Sequence, residues 1–338
     1  MMIVLQGVLL FYALMTLAFL GLRLTVRERW SWVGFYNNLL PLAIYPAPVG
    51  LLVGWGMGWH AVTLTHAMIF LEAVRLYAPM FIKARPPRSP VAPTLRVMTY
   101  NALAEFNPPH VIADVLLTHL PDVVHLQEIL ADKAQAVFEQ VASYYPYHVH
   151  YRDQATLSRL PFRAENLEAY WLQAPTADPI RIELKWEGRD LVLYNVHTTP
   201  PMVFQMLQGR PYDSQLRSMG VRELLDLLAQ ETATVMVTGD FNATDTTEDY
   251  RQIRAQGYRD AFQEAGYGMG FTFPLAGNLD PRIKEFPDVM PLFMRIDFVF
   301  YRGRGIRAQH AHTLKVGQSD HLPLVVEFTL EEALPFSS

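Results

Sequence analysis

The stretch GQSDHLPLVVEF, residues 317–328, decides how the chain is read. An acid and an imidazole, Asp320 and His321, stand side by side immediately before an apolar, strand-like run, Leu322 to Phe328. A buried strand needs no such pair at its mouth. Working outward, the same feature recurs. LRVMTYN (95–101) ends in Asn101, DVVHLQE (122–128) in Glu128, and LVLYNVH (191–197) in His197. TVMVTGD (234–240) ends in Asp240 with Asn242 two residues on. One polar strand end is ordinary turn chemistry. Five apolar strands sharing it point to a site assembled on one rim of a sheet structure.

Between these strands lie segments of helical spacing, 109–119, 131–142 and 214–230, and a strictly alternating strand, RIELKW (181–186). The soluble part therefore reads as mixed α/β. Arg217 and Arg222, on the 214–230 helix, read as solvated face charges. His125, His148, His150, His310 and His312 read as structural.

Charge divides the chain. Residues 1–90 hold seven of the 28 Lys/Arg and two of the 33 Asp/Glu, Glu28 and Glu72. That leaves 21 and 31 for residues 91–338, a formal net charge of −10. The absence of cysteine excludes disulfides, thiolate metal sites and a cysteine nucleophile.

Residues 3–22, IVLQGVLLFYALMTLAFLGL, carry no charge. At helical rise they match the ~30 Å of a bilayer core. No basic segment precedes them, so a retained membrane helix is expected rather than a signal peptide. Two further apolar segments follow, 33–54 and 57–82. The first contains Asn37, Asn38 and three prolines and is expected to kink; on the second, Glu72 and Arg75 share a helix face and should pair. Trp30, Trp32, Trp55 and Trp59 lie near segment ends, as interfacial residues do. Basic residues follow the first segment (Arg23, Arg27, Arg29) and the third (Lys83, Arg85, Arg88). The expectation is a membrane region over 1–83 with three spans, a proline-rich linker over 84–93, and a large domain over 94–330. By the positive-inside rule that domain is cytoplasmic. Residues 91–338 are expected to fold alone.

The order TYN, LQE, NVH, GDFN, RIDFVF, SDH resembles the endonuclease/exonuclease/phosphatase superfamily, which includes DNase I-like nucleases and neutral sphingomyelinases. LSRLPF (157–162) resembles a further strand-and-turn motif of that group. The resemblance covers about residues 95–329. It implies a two-sheet β-sandwich flanked by helices, a four-layer αββα arrangement. It also implies a metal-dependent phosphoric ester hydrolase, with Glu128 as the main ligand of Mg²⁺ or Mn²⁺, Asn101 beside it and Asp320 as a further metal-side acid. Asp240 and Asn242 would position and activate the attacking water, and His321 would be the catalytic histidine oriented by Asp297. His197 would contact the phosphate or assist the leaving group. Such chemistry needs oxygen donors for a hard cation, and groups that can carry protons.

The expected substrate is a phosphodiester. A domain at −10 lacks the basic footprint with which proteins grip duplex DNA. Apolar residues after His197 (Met202, Val203, Phe204, Met206, Leu207) and before Asp297 (Met290, Leu292, Phe293, Met294) suit a lipid-facing entrance. A lipid headgroup is thus favoured, in the manner of a sphingomyelinase or phospholipase C. The alternatives are a membrane-tethered nuclease or nucleotide phosphodiesterase acting on nucleic acid, and a non-catalytic membrane interaction protein of the same fold. No protein partner is expected. No counterpart is found for the phosphate-site tyrosine of abasic-site nucleases, nor for the extra motifs of inositol-polyphosphate 5-phosphatases.

Overall fold

Two six-stranded mixed sheets face each other in the computed structural model, which describes residues 1–82, 93–164, 167–201, 211–275, 277–278 and 291–330. The first sheet contains β1 (Thr94–Asn101), β2 (Val123–Gln127), β3 (Tyr147–Tyr151) and β4 (Gln154–Ser158). Further along the chain, β5 (Phe162–Arg163), β6 (Ile180–Trp186), β7 (Arg189–His197), β8 (Thr234–Asp240), β9 (Arg259–Asp260) and β10 (Asp297–Arg302) form the second. The last two strands, β11 (Ile306–Thr313) and β12 (Leu324–Leu330), return to the first. The strand orders are β11-β12-β1-β2-β4-β3 and β5-β6-β7-β8-β10-β9.

Each sheet has one parallel pair at its centre, β1 with β2 and β7 with β8, flanked by antiparallel neighbours. This explains why so many strand ends meet. The C-terminal ends of a parallel pair and the N-terminal ends of its antiparallel neighbours share one rim. In register, His197 stands opposite Asp240 and Asp240 opposite Asp297.

The continuous apolar runs follow from double burial, since both faces of each sheet are covered. Val97, Val123, Ile182, Leu193, Met236, Val299 and Val326 point between the sheets. On the outer face of the first sheet, Met98, Val124 and Leu126 pack against Ile112, Leu116 and Val137. Those residues belong to two helices, Pro109–His119 and Ala131–Val141. Val192, Tyr194 and Val235 do the same against Val221, Leu224 and Leu228 of the helix Gln215–Leu228. The result is the expected four-layer sandwich. Five strands had no clear sequence signal of their own, β3, β4, β5, β9 and β11. The first and last carry histidines (His148, His150; His310, His312) at partly exposed positions of edge strands, which breaks the apolar pattern.

The N-terminal region is helical. α1 (Met2–Thr25) and the segment His60–Phe81, which contains α5 (His60–Tyr77), are each long and apolar enough to cross a membrane. Between them lie α2 (Ser31–Asn38), α3 (Leu40–Ile44) and α4 (Ala47–Gly56). The expected middle span is broken: Ser31–Asn38 and Leu40–Gly56 meet at 77°. The reason is chemical. Asn37 donates to Glu28 at 2.9 Å, and Asn38 to the Gly34 carbonyl and the Tyr212 hydroxyl at 2.8 and 2.9 Å. Both amides are committed to protein partners, and Pro41 cannot continue the preceding ladder. Glu72 and Arg75 do pair, at 2.6 Å.

The expectation for Arg217 is corrected. It is buried and bound to Asp249 at 2.7 Å and Glu28 at 3.4 Å. Residues 84–92 of the linker, the apolar stretch 202–207 and Met290 fall outside the described residues, whereas Phe293 is buried.

Candidate active site

Gly239 and Asp240 set the floor of the site. Gly239 has φ 147°, and an added Cβ would stand 1.9 Å from the Val196 carbonyl oxygen. Only glycine lets β8 approach β7 this closely beside the acid. Asp240 then turns the chain: its Oδ1 accepts the Asn242 amide at 2.8 Å, and Asn242 adopts φ 47°. Asn242 in turn donates to the Thr198 carbonyl at 2.9 Å.

Two histidines approach the same oxygen of Asp240. His321 lies with Nε2 3.8 Å from Asp240 Oδ2, and its Nδ1 meets Asp297 Oδ2 at 2.9 Å. His197 lies with Nε2 4.0 Å from the same Asp240 oxygen, and its Nδ1 meets Asp153 Oδ2 at 2.8 Å. Each ring is thus fixed by an acid on one nitrogen and presents the other to a common point. Asp153 was not singled out from the sequence. It sits in the turn between β3 and β4, outside any strand end, and only the fold brings it to His197.

Asn101 braces the acids. Its Nδ2 lies 2.9 Å from Glu128 Oε1 and 3.0 Å from Asp240 Oδ2, while its Oδ1 accepts the Leu103 amide at 3.2 Å. In this arrangement Asn101 offers the acids its N–H rather than its carbonyl. Glu128 has φ 53°, a left-handed backbone that costs energy for a non-glycine residue and turns its carboxylate toward the rim. Glu128 Oε1 is 3.9 Å from His197 Nε2. Asp320 is buried beside His321, and its backbone carbonyl accepts the Leu275 amide at 2.8 Å. Ser319 ties this corner down: its hydroxyl donates to the Asn101 carbonyl at 2.7 Å and accepts the His321 amide at 3.0 Å.

Every residue expected at the site is therefore at one rim. The structural histidines stand apart from it: His125 bonds Thr238 between the sheets, His148 stacks on Phe138, and His150 meets the Ile129 carbonyl.

The electrostatics follow from burial and crowding. Burial, with the Asp297 charge, pushes Asp240 up to about 6 against the pull of His321 and His197. Burial works to lower His321, but the Asp297 and Asp240 charges outweigh it and raise the imidazole to about 10. His197 is raised to about 9 in the same way, burial being outweighed chiefly by Asp153. The three form an alternating array, cation–anion–cation, which satisfies charges that could not be buried singly.

The residues fit a hard divalent cation. The rim offers the carboxylates of Glu128, Asp240, Asp297 and Asp320, oxygen donors of the kind such ions prefer. Among the described residues, one group of acids and histidines brings its ligand atoms within 4.8 Å of one another: Asp240, Asp297 and His321. Asp297 Oδ1 is buried without a hydrogen-bond partner. Glu128 adjoins this group through Asn101, whose amide bridges Glu128 and Asp240.

The family model for the endonuclease/exonuclease/phosphatase family matches residues 98–321, which run from β1 through His321. The chain belongs to the endonuclease/exonuclease/phosphatase family. Solved structures agree in fold. D. rerio TDP2 complexed with single-strand DNA product superposes with a TM-score of 0.53 at 17% identity, covering 70% of this chain and 99% of the other. A conserved protein of unknown function from Enterococcus faecalis V583 gives 0.52 at 16% identity, over 70% and 100%. A family protein from Bacteroides thetaiotaomicron gives 0.51 at 17%, over 72% and 100%. No curated protein matches the chain. The family match begins at residue 98, so the N-terminal helical region lies outside the matched residues.

Proposed function

We propose that this family member is a membrane-anchored, divalent-metal-dependent phosphodiesterase that cleaves a lipid headgroup by activated water. The observation that carries the hydrolytic reading is the convergence of His197 and His321 on one oxygen of Asp240, each ring oriented by its own acid. Asp240, with Asn242 beside it, is placed to take the proton of an attacking water. His321, held by Asp297, and His197, held by Asp153, present Nε2 to the same space, where a phosphoryl oxygen or leaving oxygen would receive a proton. Glu128, with the Asp240–Asp297 pair and Asp320 close by, would hold Mg²⁺ or Mn²⁺. Such an ion supplies charge neutralisation on the phosphoryl oxygens.

Membrane anchoring rests on the length and hydropathy of α1 and His60–Phe81. The lipid reading rests on where the site lies relative to those helices. Thr246, four residues beyond Asn242, donates to the Asn37 carbonyl at 2.7 Å, and Arg23 at the end of α1 donates to the Thr246 carbonyl at 3.2 Å. The rim that carries the site thus adjoins the end of the helical region toward which Arg23, Arg27 and Arg29 cluster. By the positive-inside rule that end, and the sandwich with it, is cytoplasmic.

The deciding experiment incubates full-length protein and Mg²⁺ or Mn²⁺ with sphingomyelin vesicles, glycerophospholipid vesicles, and single- and double-stranded DNA. His321→Ala serves as the blank. Metal- and His321-dependent headgroup release supports the proposal. Strand cleavage with intact lipids replaces it with a tethered nuclease.

A further inference from the structure

One segment joins the helical region to the catalytic rim. It runs from Tyr267 to Leu275, and both of its halves are held. At the first half, the Gly268 amide donates to the Met80 carbonyl at 2.8 Å. Tyr267 packs edge-on against Phe81, with ring centres 5.8 Å apart, and Phe271 packs against Tyr45 at 6.4 Å. Met269 lies against the helical region's own core, which includes Ala13, Leu40, Ile69 and Met80.

The second half holds the site. Thr272 Oγ1 accepts the amides of Ile296 and Asp297 at 3.3 and 3.4 Å. The Thr272 carbonyl accepts the Leu322 amide, and the Leu275 amide donates to the Asp320 carbonyl, both at 2.8 Å. Phe273 packs its ring against that of His321, tilted by 44° with centres 4.8 Å apart. One short segment thus touches Asp297 at the start of β10 and Asp320, His321 and Leu322 in the loop that leads into β12. Gly270, at φ 63°, makes the bend between the halves. A Cβ there would meet the Phe262 ring at 2.3 Å, so the bend is fixed rather than slack.

We propose that the N-terminal helices are a positioning element of the hydrolytic site: through Tyr45, Met80 and Phe81 they grip residues 267–275, and that strap sets the Asp297–His321 geometry. The proposal rests on the reading that His321 and Asp297 act in phosphodiester hydrolysis. It goes further in giving the helical region a part in the chemistry, besides any part in location. A misplacement of about 1 Å in a reacting group can lower a rate by about a hundredfold, so a strap held only at the far end should show in kcat. It also distinguishes this chain from a sandwich on a flexible tether, for which the helices could be disturbed without consequence for a soluble substrate.

The test uses full-length protein in detergent micelles with Mn²⁺ and bis(p-nitrophenyl) phosphate, a water-soluble phosphodiester that makes no use of a bilayer. The variants are Tyr45→Ala, Phe271→Ala, Tyr45→Phe and, as a control on the far turn of the helical region, Trp55→Ala. The expected result is a kcat lowered about tenfold or more in Tyr45→Ala and Phe271→Ala, with KM within about twofold. Tyr45→Phe keeps the ring and should restore the rate, and Trp55→Ala should match the parent. A second readout needs no turnover. In metal-free protein, the imidazole ¹⁵N and Nδ1–H resonances of His321 should shift in the two alanine variants and stay in place in the control.

Unchanged kcat and unchanged His321 resonances in both alanine variants overturn the strap. So does a rate that falls only in proportion to the folded fraction. The underlying reading fails separately: it falls if His321→Ala keeps the parent rate, or if the parent hydrolyses neither this probe nor the lipid and DNA substrates. A dead His321→Ala beside fully active strap variants leaves the hydrolase and removes the strap.

Discussion

The helical region and the sandwich place their apolar side chains in opposite ways. Of the 34 large apolar residues exposed among the described residues, 25 lie in residues 1–82. Trp55, Leu52, Leu64 and Leu71 point outward there, whereas Val97, Leu193, Met236 and Val326 are sealed between sheets. Water suits the surface of the second region; an exposed apolar surface of the first kind calls for a covering phase. The polar residues reverse the pattern. Arg23, Asn37 and Asn38 of the helical region are buried where it meets the sandwich, and Arg217 of the sandwich is buried there too. The two regions are therefore joined by a buried polar seam, and the site sits on the sandwich side of it.

The largest expected effects belong to the site and should leave the seam intact. Asp240→Asn and His321→Ala should each lower kcat by about 10²–10⁴-fold, the usual range for a general acid or base. Asparagine keeps an acceptor for the Asn242 amide, so the turn survives. Circular dichroism and the thermal midpoint should stay near the parent values. A variant that loses its fold along with its activity would erase the distinction between a catalytic rim and a structural seam.

Next comes the seam. Arg217→Met should destabilise the protein by about 3–5 kcal/mol, because removing one member of a buried charge group strands the rest. Asp249 would keep only Ser218, at 3.0 Å, and Glu28 would lose a cation. The measurement is the denaturation midpoint of the full-length variant. A change under about 1 kcal/mol would mean that water reaches the seam. The same contacts bear on the expectation that residues 91–338 fold alone. That fragment lacks Glu28 and Asn37, and would expose Arg217, Tyr212 and Thr246.

The misreading of Arg217 shows what the sequence held and what it hid. Arg217 stands three, four, seven and eleven residues before Gly220, Val221, Leu224 and Leu228, all buried. Its place on the apolar stripe is visible in the sequence, and that position, not its charge, decides its burial. The site was far more legible. Asn101, Glu128, His197, Asp240 and Asp297 each end or begin an apolar run, and a parallel pair in each sheet necessarily carries such ends to one rim. Asp153 was hidden because a turn residue has no periodicity to betray it. Asn37, Asn38 and three prolines mark the segment 33–54 for a kink without placing it, and its 77° depends on partners in the sandwich that no local pattern reveals.

A smaller effect tests the interior between the sheets. His125 on β2 bonds Thr238 on β8, and burial pushes its imidazole down to about 3. The unfolded chain takes up that proton near pH 6.5, the folded chain only near pH 3. The unfolded state therefore binds more protons between those values, and stability should be full above about 6.5 and fall as pH drops through the window. His125→Gln should flatten this slope in midpoint measurements at stepped pH. An unchanged slope would assign the acid sensitivity to other groups.

The smallest expected effect lies at the seam's edge and sharpens the contrast with Arg217. Arg27 reaches Glu248 at 3.3 Å, but its side chain is 59% exposed. Solvent screens such a pair, and holding two long side chains together offsets much of the attraction, so Arg27→Ala should change stability by less than about 1 kcal/mol. Glu248 would still have Arg251 at 2.6 Å. The two arginines bind acids across the same junction, one from each side, and differ chiefly in burial. If Arg27→Ala proved as damaging as Arg217→Met, position at the junction would matter more than burial. A result near zero beside a large Arg217 effect would instead locate the coupling between the regions in the dry interior of the seam, next to Asn37 and Thr246, where the path to Asp240 begins.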